Sequence, residues 1–250
     1  MTKIILSGCC GRMGKVITNE VAKLDDCMIV AGVDLVANES SDFPIFKSFN
    51  EIDCDADVII DFSNPALLNS LLDYVKKASI PVVIATTGYN AEQTETIKNA
   101  AKEAPVFFSF NMSLGVNLLI ELSKKAACVL GDGFDIEILE SHHNQKLDAP
   151  SGTAVMIADG IQSVLDEEHE LVYDRHQTRK KREKNEIGIH AIRGGTIVGE
   201  HSVIFAGHDE IITLSHSARS REIFAVGSIK AAIFMVGKPN GLYSMSNLIQ

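Results

Sequence analysis

The stretch from Glu140 to Ala154, ESHHNQKLDAPSGTA, gathers the side chains best suited to chemistry. His142 and His143 are adjacent, Lys146 follows, and Pro150-Ser151-Gly152-Thr153 leads into an apolar-periodic run. Imidazoles exchange protons near neutral pH, and a lysine ammonium adds a mobile point charge with three donors. The N–H groups of Gly152 and Thr153, with the Thr153 hydroxyl, fall in the first turn of a predicted helix, where anions are stabilised. Together they fit a loop that holds carboxylates and supplies protons. Each part also has a plainer assignment: one histidine as a structural core group, and Ser151 as a simple helix N-cap. Neighbouring strand residues point to opposite faces, so His142 and His143 suit a shared metal ion poorly. The residues alone define an anion-binding loop beside a nucleotide-binding domain.

That nucleotide domain is read from Gly8-Cys9-Cys10-Gly11-Arg12-Met13-Gly14, a GxxGxxG loop between a strand and a helix. Its glycines permit a tight turn and let the backbone approach a pyrophosphate at the helix N-terminus. Asp34 ends the next strand, 20 residues beyond Gly14, where a carboxylate accepts hydrogen bonds from the adenosine ribose. The competing reading is a glycine turn that only packs helix against strand. Thr86-Thr87-Gly88 and Ser109 to Ser113 end two later strands, at the edge where such sheets bind ligands, although hydroxyl-rich strand ends also serve as helix caps. Asp34 repels the 2′-phosphate of NADP, and Leu35 stands where an arginine could clasp it. NADH is therefore the expected or at least an accepted cofactor, with NADPH also admissible and Arg12 a helper.

Composition narrows the classes. The chain has 250 residues, 46% of them hydrophobic, and a net charge of −10, which disfavours nucleic-acid and anionic-membrane partners. No apolar run approaches the ~20 residues of a membrane span, and a cytoplasmic protein is expected. Five cysteines, odd in number and without CxxC spacing, argue against a disulfide framework and a zinc site; no metal is expected. The one basic run, 175–186, reads as a solvated, mobile loop.

The elements that must position these groups follow from periodicity. Strands are predicted at Ile4–Leu6, Met28–Val33, Val58–Phe62, Val82–Ala85 and Val106–Phe110. Between them lie helices carrying Met13, Ile17, Val21 and Leu24, then Leu68, Leu71, Leu72 and Val75, and one near 91–104. After Gly131 the pattern changes: an alternating strand around Ile136, a helix near 153–166, strands near 188–193, 196–206 and 210–217, then a last helix near 222–236. The expected fold is α/β, a Rossmann-like parallel-sheet dinucleotide-binding domain with an inserted α+β substrate and oligomerisation domain. The former takes residues 1–112 and 220–250, the latter 113–219. Closure of the two around the ligands is expected.

ESHHNQKLDAPSGTA resembles the E-x-H-H-x-x-K-x-D-x-P-S-G-T-A signature of the dihydrodipicolinate reductase family. Gly8 to Gly14, Thr86 to Gly88, Ser109 to Val116 and the run Arg193 to His201 are similar to that family's other motifs, in the same order. The resemblance implies NAD(P)H-dependent reduction of a small ring dicarboxylate, 4-hydroxy-tetrahydrodipicolinate, in lysine and diaminopimelate biosynthesis, by a homotetramer. It implies His142 and Lys146 as catalytic proton donors, and His143, Lys146, Gly152 and Thr153 as carboxylate ligands. Gly8, Cys9, Cys10, Gly11, Arg12, Met13, Asp34, Thr86, Thr87, Gly88, Ser109, Phe110, Asn111 and Met112 would hold the dinucleotide. The chain departs from many members at Asn144, Gln145 and Leu35, and Cys9 and Cys10 are unusual in such a loop. A related GxxGxMG amino-acid or keto-acid dehydrogenase leaves the histidine-lysine segment unexplained. A non-catalytic nucleotide sensor has no need of its proton donors.

Overall fold

The computed structural model describes residues 1–36, 41–176 and 179–249. In chain order the elements are β1 (Thr2–Ser7), α1 (Arg12–Val21), β2 (Cys27–Val33), β3 (Ile45–Phe46), β4 (Val58–Asp61), α2 (Leu68–Ala78), β5 (Val82–Ile84), α3 (Ala91–Ala100) and β6 (Pro105–Phe108). They continue with α4 (Leu114–Leu130), β7 (Asp135–His142), α5 (Gly152–Gln162), β8 (Glu170–Val172), β9 (Glu186–Arg193), β10 (Gly199–Ala206) and β11 (Ile211–Ala218). The chain ends with α6 (Glu222–Met235), β12 (Gly241–Tyr243) and α7 (Met245–Leu248). Two compact units result, one of Met1–Leu114 with Arg221–Gln250, the other of Gly115–Ser220.

The first unit is built on a parallel sheet of order β12-β6-β5-β4-β1-β2-β3. Its central strands are continuous β-branched and leucine runs because both faces are covered. Ile4 and Leu6 pack into one cluster with Ile17 of α1 and Ala225, Ile229 and Ala232 of α6. Ile5 and Ile59 enter the opposite cluster with Leu71 and Val75 of α2 and Ile97 of α3. Each fully buried side chain of this kind stabilises by about 1.5–3 kcal/mol. Strand order reverses at β1, which pairs with β4 on one side and β2 on the other. The loops after β1 and β4 leave the sheet there and frame a crevice. Leu24 falls outside α1: the helix ends at Val21 and the chain turns toward β2, leaving Leu24 43% exposed.

The second unit carries a mixed sheet of order β11-β10-β7-β9-β8, with β7 antiparallel to β10 and parallel to β9. Ile136, Ile138, Ile187, Ile189, Val203 and Phe205 pack one face against α4 and α5. The helix at 114–130 is absent from the periodicity reading for a physical reason. It buries Val116, Leu119, Ile120 and Ala127 yet exposes Leu118, Leu122 and Val129, so no single apolar stripe marks it.

The basic run 175–186, of which Gln177 and Thr178 lie outside the described residues, is largely exposed loop, but two of its arginines are tied to the sheet. Arg175 pairs with Glu186 at 2.6 Å and Glu137 at 3.0 Å, and Arg182 with Glu137 at 3.1 Å and Asp135 at 2.8 Å. Strands β7 and β9 present these acids, so the arginines are drawn onto the sheet instead of into water. The Arg175 guanidinium holds the Glu186 carboxyl down at about 2.

Candidate active site

The glycine loop is shaped by steric necessity. Gly8 adopts φ +79° with its N–H donated to Val33 O at 2.8 Å, and a Cβ there would stand 2.4 Å from Phe62 O. A Cβ on Gly14 would meet Gly8 O at 2.2 Å. Gly11 precedes α1 without a side-chain cap, which leaves the first-turn amides for an anion. Asp34 is held beside the loop, accepting from Cys10 N–H at 2.9 Å and Val36 N–H at 3.1 Å. A cavity of about 490 Å³ opens at the strand ends. Of the residues predicted from sequence, Gly11, Arg12, Met13, Thr86, Thr87, Phe110 and Met112 line it. Gly8, Cys9, Cys10, Asp34, Gly88, Ser109 and Asn111 are not among its lining. This loop, this acid and this cavity fit a dinucleotide.

Phe62, Ser63, Ala85 and Phe224 also line the cavity and were missed. Phe62 and Ser63 follow β4, so the strand-end rule applied to Thr86 and Ser109 would have found them. Phe224 belongs to α6 and carries no local signal. Beneath the cavity lies Asp61, 1% exposed, accepting from Ser63 Oγ and Thr86 Oγ1 at 2.6 Å each. Burial pushes its carboxyl up. Thr86 Oγ1 also accepts from Ser63 N–H at 2.8 Å, so its hydroxyl ties two strand ends together. Ser109 Oγ donates to Asn111 O at 2.8 Å, and Asn111 Oδ1 accepts from Ser113 N–H at 2.9 Å, shaping the turn after β6.

In the second unit, β7 delivers Glu140 and His142 at its end. Glu140 is fully buried and satisfied on every side. It accepts from Arg193 Nη1 and Nη2 at 2.7 Å each, from Ser151 N–H at 2.9 Å, and meets His142 Nδ1 at 2.7 Å. Burial alone would raise its carboxyl, but the hydrogen bonds from Arg193, His142 and Ser151 hold it below the ordinary range. A carboxylate only accepts, so the proton of a neutral His142 sits on Nδ1 and Nε2 is left to exchange protons. Arg193 also donates to Asp148 O at 2.6 Å, pinning the loop.

Lys146 Nζ sits 2.9 Å from Asp148 Oδ1, and that ammonium lowers the Asp148 carboxyl. Ser151 caps α5, its Oγ accepting from Ala154 N–H at 3.2 Å, and lies 3.0 Å from His201 Nε2. The His201 ring packs edge-on to His142 with centroids 5.2 Å apart, and burial, then His142, push it down to about 4. His143 is half-buried, with a buried Nδ1 that has no hydrogen-bond partner. The fold thus brings His142, His143, Lys146, Gly152 and Thr153 onto one strand end and the helix start that follows it. Glu140, Arg193 and His201 complete the network and were not assigned roles from sequence, while Ser151 is the N-cap that the sequence offered.

A parallel α/β unit with a glycine loop and ligand cavity, joined in one chain to a unit bearing a carboxylate-oriented histidine and a lysine loop, defines a dinucleotide-dependent oxidoreductase. The comparisons narrow the class. The family profile "Dihydrodipicolinate reductase, N-terminus" matches residues 2–112, and "Dihydrodipicolinate reductase, C-terminus" matches 115–249. The chain is 52% identical over 251 residues to a 4-hydroxy-tetrahydrodipicolinate reductase of Clostridium novyi (strain NT), covering 100% of this chain and 99% of that protein. It is 53% identical over 250 residues to the enzyme of that name from Caldanaerobacter subterraneus subsp. tengcongensis, again covering 100% and 99%. A dipicolinate-bound dihydrodipicolinate reductase from Paenisporosarcina sp. TG-14 superposes with a TM-score of 0.82 at 25% identity, covering 98% of this chain and 97% of that one. The chain belongs to the dihydrodipicolinate reductase family.

Proposed function

We infer that the chain reduces 4-hydroxy-tetrahydrodipicolinate, with loss of water, to tetrahydrodipicolinate in lysine and diaminopimelate biosynthesis, using NAD(P)H. The observation that carries the chemistry is the 2.7 Å contact of His142 Nδ1 with buried Glu140, which readies Nε2 for proton transfer. The bound dinucleotide supplies the hydride. His143, Lys146 and the first-turn N–H groups of Gly152 and Thr153 hold the two ring carboxylates. Lys146 exchanges its Asp148 partner for a substrate carboxylate. In the loss of water His142 Nε2 takes the proton from the carbon beside the hydroxyl and returns it to the departing hydroxide, and one proton, from the His142 imidazolium or from Lys146 Nζ, then balances the hydride. Gly8 to Met13, Asp34, Thr86 to Gly88 and Ser109 to Met112 hold the cofactor. By these roles the first unit is the dinucleotide domain and the second the substrate domain.

NADH is the preferred or an accepted cofactor, because Asp34 with Leu35 disfavours a 2′-phosphate. Far higher kcat/KM with NADPH would overturn that preference. The protein is a homotetramer assembled through the second unit, whose edge strand β11 pairs, among the described residues, only with β10 and leaves Ile211 68% exposed; light scattering measures the mass. Among the described residues no helix is long and apolar enough to cross a membrane. Five free cysteines suit the reducing cytoplasm.

The deciding assay follows NADH and NADPH oxidation with freshly condensed pyruvate and aspartate semialdehyde. Turnover, inhibited competitively by pyridine-2,6-dicarboxylate, is expected; none with either nicotinamide overturns the assignment. Alanine at His142 or Lys146 should lower kcat by roughly 10²–10⁴-fold with NADH binding retained.

A further inference from the structure

Cys9 and Cys10 are an unusual pair for a glycine loop, and the proposed reaction gives their thiols no task. In the fold their Sγ atoms lie 3.9 Å apart. A carboxylate oxygen of Asp34 joins them, and the three donor atoms all fall within 4.8 Å of one another. Tetrahedral zinc binds thiolate sulfur at about 2.3 Å, which sets two ligand sulfurs ~3.8 Å apart. The pair therefore already has the spacing of a chelate. The absence of CxxC spacing hid this, because the third donor arrives from the end of β2.

Asp34 is fixed before any ion arrives, since its two oxygens accept separately from Cys10 N–H and Val36 N–H. Each oxygen retains a lone pair for a metal. Cys9 is buried, while Cys10 and Asp34 are partly exposed, and the Cys10 thiol, which donates to Val36 O at 3.0 Å, exchanges that bond for the ion. Two thiolates, one carboxylate and a dication sum to a single negative charge. The N-terminus of α1 beside the loop favours that charge. Two sulfurs select a soft ion over magnesium or calcium.

We propose that Cys9, Cys10 and Asp34 form a site for a thiophilic divalent cation of the zinc type, and that filling it excludes the dinucleotide. Loading releases two thiol protons to solvent and changes no oxidation state. The site stands on the geometry of the loop. The exclusion rests on the dinucleotide reading above, since the ion claims the carboxylate assigned to the adenosine ribose.

The test adds cobalt(II) alone to the reduced, full-length protein under anaerobic conditions. One equivalent should produce a thiolate-to-cobalt absorption in the near ultraviolet, which zinc then bleaches. Cys10→Ser and Asp34→Asn should each weaken cobalt binding by more than about tenfold; Cys128→Ser, which removes an exposed thiol elsewhere, should leave it intact. No such absorption in the unmutated protein, or one that survives in Cys9→Ser/Cys10→Ser, overturns the site. NADH binding is then followed by fluorescence, without metal and with saturating zinc. Zinc should raise the apparent NADH dissociation constant at least tenfold, and an unchanged constant overturns the exclusion. Absence of NADH binding in metal-free protein overturns the dinucleotide reading and the exclusion with it, while the cobalt absorption still decides the site.

Discussion

Glu140 shows what a buried carboxylate can do for a neighbouring imidazole. Glu140→Gln keeps the volume but lets the side chain donate as well as accept, so the proton on His142 Nδ1 is no longer imposed. A fall in kcat of at least about tenfold is expected, with the NADH dissociation constant unchanged. The stability cost of leaving Arg193 without its charged partner is about 1–3 kcal/mol. His201 makes a second prediction. Its folded value of about 4 lies below the ordinary 6.5, so the unfolded chain binds more protons between those values. Its contribution is complete above pH 6.5 and is lost as pH falls toward 4. Urea midpoints at pH 7 and pH 4.5 should differ less in His201→Gln than in the unmutated protein. The sequence displayed His142 and Lys146 because their spacing is local. The Glu140–Arg193 pair spans 53 positions and depends on the β7–β9 register, in which His142 lies opposite Arg193. No pattern within either segment encodes that register.

At the scale of elements, legibility followed burial. Strands β1, β4 and β5 are buried on both faces and read as unbroken apolar runs, and α2 shows one clean stripe. Helix α4, apolar on more than one side, does not, and the short edge strands β3, β8 and β12, unlike the equally short but fully buried β5, carry no buried residue to mark them. The paired core faces also set a cost. Ile5 has no exposed surface and cannot be replaced by collapse of a mobile neighbour, so Ile5→Ala should destabilise by about 2–5 kcal/mol, read as a lower urea midpoint. Glu186 adds an acid-sensitive contact on the other sheet. Its value is depressed to about 2 from 4.5, so its contribution is present above pH 4.5 and lost as pH falls toward 2. Arg175→Met should flatten that part of the acid unfolding curve.

For the whole molecule, the decisive fact is that the first unit is assembled from both ends of the chain. Helix α6 supplies Ala225, Ile229, Ala232 and Met235 to the cluster that covers Ile4 and Leu6, and β12 extends the sheet beyond β6. A chain stopped at residue 220 should keep the mixed sheet and lose cooperative unfolding of the parallel one, a difference that hydrogen exchange resolves strand by strand. During synthesis the glycine loop leaves the ribosome long before α6, the helix that seals its core. A nascent chain therefore carries Ile4, Leu6 and Ile17 uncovered while more than a hundred residues are still being added. The inserted unit, contiguous in sequence, has all its strands by Ala218 and can fold first. For these two units the order of translation and the order of folding run in opposite senses, and the segment made before its covering helix is the one most in need of a chaperone's protection.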